Sequence, residues 1–170
     1  NTIKGSILIF RRTKFGVDKL EQTLIKNGYK VETLHGDKAQ SDRQTALNKF
    51  KNGYVNILIA TDVAARGIDI NELDAVVNFD MPNVPETYVH RIGRTGRAGN
   101  VGTAHSFCSA DEKAYIKTIQ QLINVQIPVE DEHPNPLDPK AKPIVHKKQG
   151  SKHKKGRKGE GSKKNKKRWY

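Results

Sequence analysis

Four consecutive apolar residues with no polar alternation, Ile57-Leu58-Ile59-Ala60, constrain this chain more than any other stretch. A strand with one wet face alternates apolar and polar side chains. A strand that does not alternate is covered on both faces, as in a parallel sheet flanked by helices. Ile7-Leu8-Ile9-Phe10 repeats the pattern, and residues 31–34, 75–77 and 103–108 read as further strands. Helical patterns lie between them. Val17, Leu20 and Leu24 share one face after the first strand, and Leu47 and Phe50 follow the second. Another helix is expected near residues 85–92, and a last one over 110–124 carries Tyr115, Ile119 and Leu122. Crossovers of about twenty residues imply parallel pairing and right-handed βαβ units. The fold class is therefore α/β: an open, doubly wound, mostly parallel sheet with helices on both faces. Such sheets bind ligands at the carboxyl ends of their strands. Three polar clusters each follow a strand: Arg11-Arg12-Thr13-Lys14, His35-Gly36-Asp37 and Thr61-Asp62.

Charge divides the chain. Of 31 Lys and Arg, 14 fall in residues 140–170 against one acid, Glu160; residues 1–139 hold 17 basic and 17 acidic side chains. The net charge of +13 thus belongs to the tail, and the body is neutral. Residues 1–127 read as one globular domain of ordinary size. Residues 128–145, with five prolines, read as a linker, and residues 146–170 as a disordered Lys-rich tail. Trp169 and Tyr170 close the chain without a pattern that explains them. A single cysteine, Cys108, excludes an intrachain disulfide, and its place in the last strand suits a small buried hydrophobe. No signal peptide or membrane-length apolar run is present, so a soluble, cytoplasmic protein is expected. The start without Met suits a fragment or an excised domain.

Two motifs carry chemistry. HRIGRTGRAG, residues 90–99, sets Arg91, Arg94 and Arg97 at spacing three with Gly93 and Gly96 between them. The guanidinium fork suits phosphate oxygens and glycine allows close backbone approach, so polyphosphate is the first target; a core role is not expected of so many cations. ATDVAARGID, residues 60–69, leaves a buried strand and opens a helical turn, aiming N–H groups and the Thr61 hydroxyl at a phosphate-sized site. Thr61 equally fits a plain cap of that turn. Asp69 can accept from ribose hydroxyls or stand as a surface carboxylate. His90 has no second His or Cys at ligand spacing, so no metal site is expected there.

Together these residues resemble motifs V and VI of the DEAD-box RNA helicases of superfamily 2. ILIFRRTK, residues 7–14, resembles motif IV, and Leu34-His35-Gly36 with Gln40 to Arg43 resembles the family's HG and QxxR elements. The likeness spans residues 6–123, and the intact HRIGRTGR is closer to DEAD-box proteins than to DEAH-type, RecQ-type or DNA-directed relatives. Residues 84–89 and 133–138 further resemble bacterial RhlE-type members. No GxxxxGK[ST] loop, DEAD sequence or SAT motif occurs in the 170 residues. The resemblance therefore implies the second RecA-like domain, inactive alone, with ATP and Mg²⁺ held mainly by an absent N-terminal RecA-like domain. It implies that Arg94 and Arg97 reach the γ-phosphate as catalytic groups, and that Gly67 and Asp69 lie near ribose and phosphates. It assigns Arg66 and His90 to interdomain coupling. It assigns RNA backbone contacts to Thr13, Lys14, Gly36, Gln40, Arg43 and Thr61, a sequence-blind set. Arg43 also fits a solvated helix residue, and Arg12 an extra contact or none. The tail clusters, Lys154 to Lys158 and Lys163 to Arg168, would bind RNA or ribosomal particles through phosphate charge, or merely solubilise the chain. The alternative is a stand-alone RNA-binding or regulatory module without turnover.

Overall fold

The computed structural model describes residues 5–96 and 101–130. Arg97, the later prolines, the basic clusters, Trp169 and Tyr170 lie outside the described residues.

The strands are β1 (Ile7–Phe10), β2 (Val31–Leu34), β3 (Ile57–Ala60), β4 (Ala75–Asn78) and β5 (Thr103–Ser106). The helices are α1 (Lys14–Lys26), α2 (Gln40–Lys51), α3 (Asp62–Ala65), α4 (Pro85–Ile92) and α5 (Lys113–Ile123). The sheet runs in the order β2-β3-β1-β4-β5, and every pairing is parallel. From β1 at the centre the chain moves outward to β2, returns to β3, and then crosses to β4 and β5 on the other side.

The unalternating runs explain the layers. Side chains alternate between the faces of a strand, so Leu8, Phe10, Leu58, Ala60 and Val76 enter one cluster, with Ala46 and Phe50 of α2 and Ala64 and Ala65 of α3. Ile9, Ile57, Ile59 and Val77 enter another, with Val17, Leu20 and Leu24 of α1. A third cluster joins α4 to α5 through Tyr88, Met81 and Ile119.

Three expectations need correction. The last strand stops at Ser106 rather than at residue 108. Its one neighbour among the described residues, β4, ends at Asn78, which pairs with Ser106 and accepts from the Phe107 N–H at 2.9 Å, so no strand partner remains among them for Cys108. Cys108 lies past the strand, half-buried against the third cluster, and burial raises its thiol pKa. The last helix opens as a 3-10 turn, Ala110–Glu112, where the Ser109 N–H and hydroxyl donate to the Glu112 carboxylate at 3.2 and 2.9 Å. Its core face is made by Tyr115, Ile116, Ile119 and Ile123, so Tyr115 and Ile119 stand as expected and Leu122 is exposed. Among the described residues no helix is long and apolar enough to cross a membrane.

Candidate nucleic-acid and nucleotide interface

The carboxyl edge of β2-β3-β1 collects all six residues matched to RNA. Thr13 caps α1: its hydroxyl oxygen accepts from the Gly16 N–H at 3.0 Å, leaving the hydroxyl proton free to donate. Lys14 reaches across to the loop after β2 and pairs with Asp37. That ammonium holds the Asp37 carboxyl below its ordinary value. Gly36 is exposed beside them, following His35, which is buried with its Nε2 3.1 Å from Asp18. Gln40 opens α2, and its amide oxygen accepts from Arg43 Nη1 at 3.1 Å. Thr61 occupies the cap position of α3, yet its hydroxyl makes no capping bond; its N–H donates to the Leu34 carbonyl at 3.1 Å. The cap reading of Thr61 thus holds for position and not for the side chain.

Arg43 is not a solvated helix residue. Its Nη2 donates to the Ala64 carbonyl at 3.2 Å, tying α2 to α3. Arg12 is a structural tie as well. It donates to the Met81 carbonyl at 2.9 Å and to the buried carboxylate of Glu112, bridging β1 to the 3-10 turn.

The nucleotide-matched residues that are described, Gly67, Asp69 and Arg94, lie elsewhere. Past α4 the chain turns back to the amino-terminal edge of the sheet, where Thr95 bridges to Leu73, two residues ahead of β4. There Arg94 Nη1 donates to the Ile68 carbonyl at 2.8 Å, which brings it against the turn after α3. Gly67 has φ +75°, a left-handed conformation natural to glycine, and lets the chain turn between α3 and Ile68. Asp69 is exposed at the rim of a polar hollow of about 400 Å³, its oxygens 3.5 Å from Lys51 Nζ and 3.2 Å from Asn71 Nδ2. Ser6 and Glu72 also line that hollow, whereas Arg94 lines an apolar niche with Leu8, Leu34, Leu58, Ala60 and Ile68, and Ile70 is shared by the two. Arg66 and His90 are exposed, and neither forms an ion pair with any described residue.

Arg91 overturns the sequence reading. It is 3% exposed, and its guanidinium forks onto Asp62, with Nε and Nη2 donating at 2.7 and 2.8 Å. Nη1 donates to Asn78 Oδ1 at 3.0 Å and to the Asp80 carbonyl at 2.8 Å, and the ring of Phe10 lies 4.9 Å away. With four of its five N–H donors engaged inside the fold and 3% of its surface exposed, this guanidinium is not presented to an external phosphate. The helix periodicity held the signal, since Arg91 follows Tyr88 by three residues on the buried face of α4. Gly102 escaped notice too: a Cβ there would overlap the Thr95 hydroxyl and lie 2.5 Å from the Gly96 nitrogen.

The profile of the helicase conserved C-terminal domain matches residues 1–99. The C-terminal domain of the DEAD-box protein Dbp5 superposes with a TM-score of 0.67 at 40% identity, covering 72% of each chain. This chain is a DEAD-box helicase C-terminal domain. CshA, a DEAD-box ATP-dependent RNA helicase of Bacillus subtilis, is 52% identical over 114 residues, 67% of this chain and 23% of that protein. The chain thus spans about a quarter of the length of that curated relative. The E. coli DEAD-box protein SrmB, in its structure with regulator of ribonuclease activity A, matches with a TM-score of 0.72 at 38% identity, over 86% of this chain and 85% of that one. The all-parallel five-stranded sheet of this helicase domain is the RecA-like arrangement of those relatives. The relatives named here carry other subgroup names, so the RhlE-type likeness rests on its sequence wording alone.

Proposed function

We propose that this domain is the second half of an ATP-dependent RNA helicase, meeting ATP with Arg94 and Arg97 and supplying half of an RNA groove. One observation carries the reading: the RNA-matched residues share the carboxyl edge of the sheet, and Arg94 with the turn at Gly67 to Asp69 lies apart from them, with α3 between.

On the RNA edge, the Thr13 hydroxyl proton, the Lys14 ammonium, the Gln40 amide and the bare backbone at Gly36 contact phosphate and sugar without reading bases. On the nucleotide edge, the Ile68 carbonyl holds one nitrogen of Arg94 and leaves the rest of the fork for a γ-phosphate. An arginine so placed stabilises charge developing on the transferred group and is worth ~10³ to 10⁵ in rate. Asp69 receives ribose hydroxyls, and Arg66 and His90, both exposed, face the other half. Among the described residues no group of three or more His, Cys, Asp or Glu could hold a metal ion, so a Mg²⁺ would depend on the ATP phosphates, water and the other half for its ligands.

Closure of the two halves on ATP completes both sites and favours a bent strand that duplex cannot adopt, so a few base pairs open. Hydrolysis and phosphate release reopen the clamp. The polycationic tail adds a salt-sensitive anchor for RNA or RNA-rich particles such as ribosomes, and a cytoplasmic setting suits this role. RNA-stimulated ATP hydrolysis tests the reading. The domain alone is expected to be inactive, and the domain joined to its upstream half to turn over ATP. A joined protein that binds RNA and never turns over would identify a binding module instead.

A further inference from the structure

The single turn α3 and the chain just past it are fastened at three points. At its carboxyl end the Ala64 carbonyl accepts from Arg43, a residue of the RNA edge. At its first residue, Asp62 receives the buried fork of Arg91. Just past it, the Ile68 carbonyl accepts from Arg94. Arg91 and Arg94 stand on one continuous piece of chain, and the Arg94 N–H donates to the Arg91 carbonyl at 3.2 Å. The segment from Asp62 to Ile68 and the end of α4 are therefore joined twice. One joint is a charged, bidentate pair between a buried guanidinium and a partly exposed carboxylate, and the other a single bond to the arginine that meets the nucleotide. Arg91 is in turn fixed to the sheet through Asn78 and the Asp80 carbonyl.

We infer that the Asp62–Arg91 pair is a positioning device that makes the placement of Arg94 depend on the state of the RNA edge. RNA phosphate engaging Thr61 and Arg43 shifts or stiffens α3. The pair holds the start of α3 in register with α4, so the change at Ala64 reaches Ile68 and Arg94 instead of being absorbed at Asp62. Without the pair α3 pivots freely, and each site still binds its own ligand. The inference rests on the helicase reading above, and it assigns Arg91 no contact with either ligand.

The experiment measures ATP and RNA binding separately and together, using the domain joined to its upstream half, with and without Asp62→Asn. Asparagine keeps the shape and one acceptor for Arg91 while removing the charge and the second acceptor. Coupling between sites is the factor by which one ligand tightens the other, typically about 5- to 150-fold. The expected result is that this factor falls at least about fivefold in the variant, while ATP alone and RNA alone bind as they do to the parent. An unchanged factor overturns the inference. So does a parallel loss of both separate affinities with a lowered melting temperature, which would mean the pair only holds the fold. A parent protein that binds neither ligand would instead sink the helicase reading. Hydrogen exchange on the unaltered protein gives a second arm independent of how the variant folds. RNA without nucleotide is expected to slow exchange of the Ala65 and Arg66 amides, which donate to Thr61 and Asp62. RNA binding with no change at those amides contradicts the inference.

Discussion

At Gly36 the backbone does not adopt a left-handed conformation, and a Cβ would meet no atom within 4 Å. Nothing in the fold asks for glycine there, so the open space is available to a ligand. Gly36→Ala is expected to leave stability unchanged or raise it by up to about 1 kcal/mol, while weakening RNA binding by about tenfold, or ~1.4 kcal/mol. Urea unfolding and anisotropy with a single-stranded oligonucleotide measure the two. At Gly102 the Thr95 hydroxyl and the Gly96 nitrogen fill the place of a Cβ. Gly102→Ala should therefore cost about 1–3 kcal/mol of stability by overpacking, read by the same unfolding measurement. Lys14 raises a different matter, since Asp37 already occupies its ammonium. The Asp37 carboxyl is held below its ordinary value of 3.8 by that ammonium. A carboxyl with a depressed folded value contributes stability above its unfolded value, and loses it as pH falls through the folded one. The pair is therefore intact at neutral pH, and an RNA phosphate must compete with it. Asp37→Asn should tighten RNA binding roughly twofold, an exposed pair being weak. The gain should be constant from about pH 5 to 8; a gain that appeared only at one end of that range would contradict the assignment.

Elements differ in how far their own residues define them. β1 and β3 were legible because four apolar residues in a row have only one comfortable place, inside a parallel sheet. Helix α4 was legible as well, with Pro85 at its start. The end of β5 was not, because a strand at the edge of a sheet stops where its neighbour stops, and that length is written elsewhere in the chain. The burial of Arg91 was hidden for a related reason. An arginine reads as a surface cation until its acceptors are located, and these are Asp62 of α3, Asn78 at the end of β4 and the Asp80 carbonyl just past it. Those acceptors make Arg91→Met costly. The change leaves the buried Asn78 oxygen without its donor and removes the partner of Asp62, a carboxylate 35% exposed to water, so a loss of about 1–3 kcal/mol is expected. Equilibrium unfolding in urea measures it, and a loss below about 1 kcal/mol would mean that Arg91 is not paired as described.

For the whole molecule, the architecture and the family were legible because the ordered motifs and the covered strands agree with each other. What the sequence could not convey was the separation of the two sites. In order along the chain, Thr61 and Gly67 look like parts of one motif. In space the first belongs to the carboxyl edge of the sheet, and the second leads toward the opposite edge, where Thr95 meets Leu73. With the sites so separated, the proposed function assigns Arg94 to the nucleotide and not to the RNA. The direct test compares Arg94→Ala with the parent in the domain joined to its upstream half, following ATP hydrolysis with saturating RNA alongside RNA affinity. The expected result is a fall in kcat of at least ~10³, as for loss of an arginine at the transferred phosphoryl group, with RNA affinity unchanged. Loss of RNA affinity with kcat intact would contradict it.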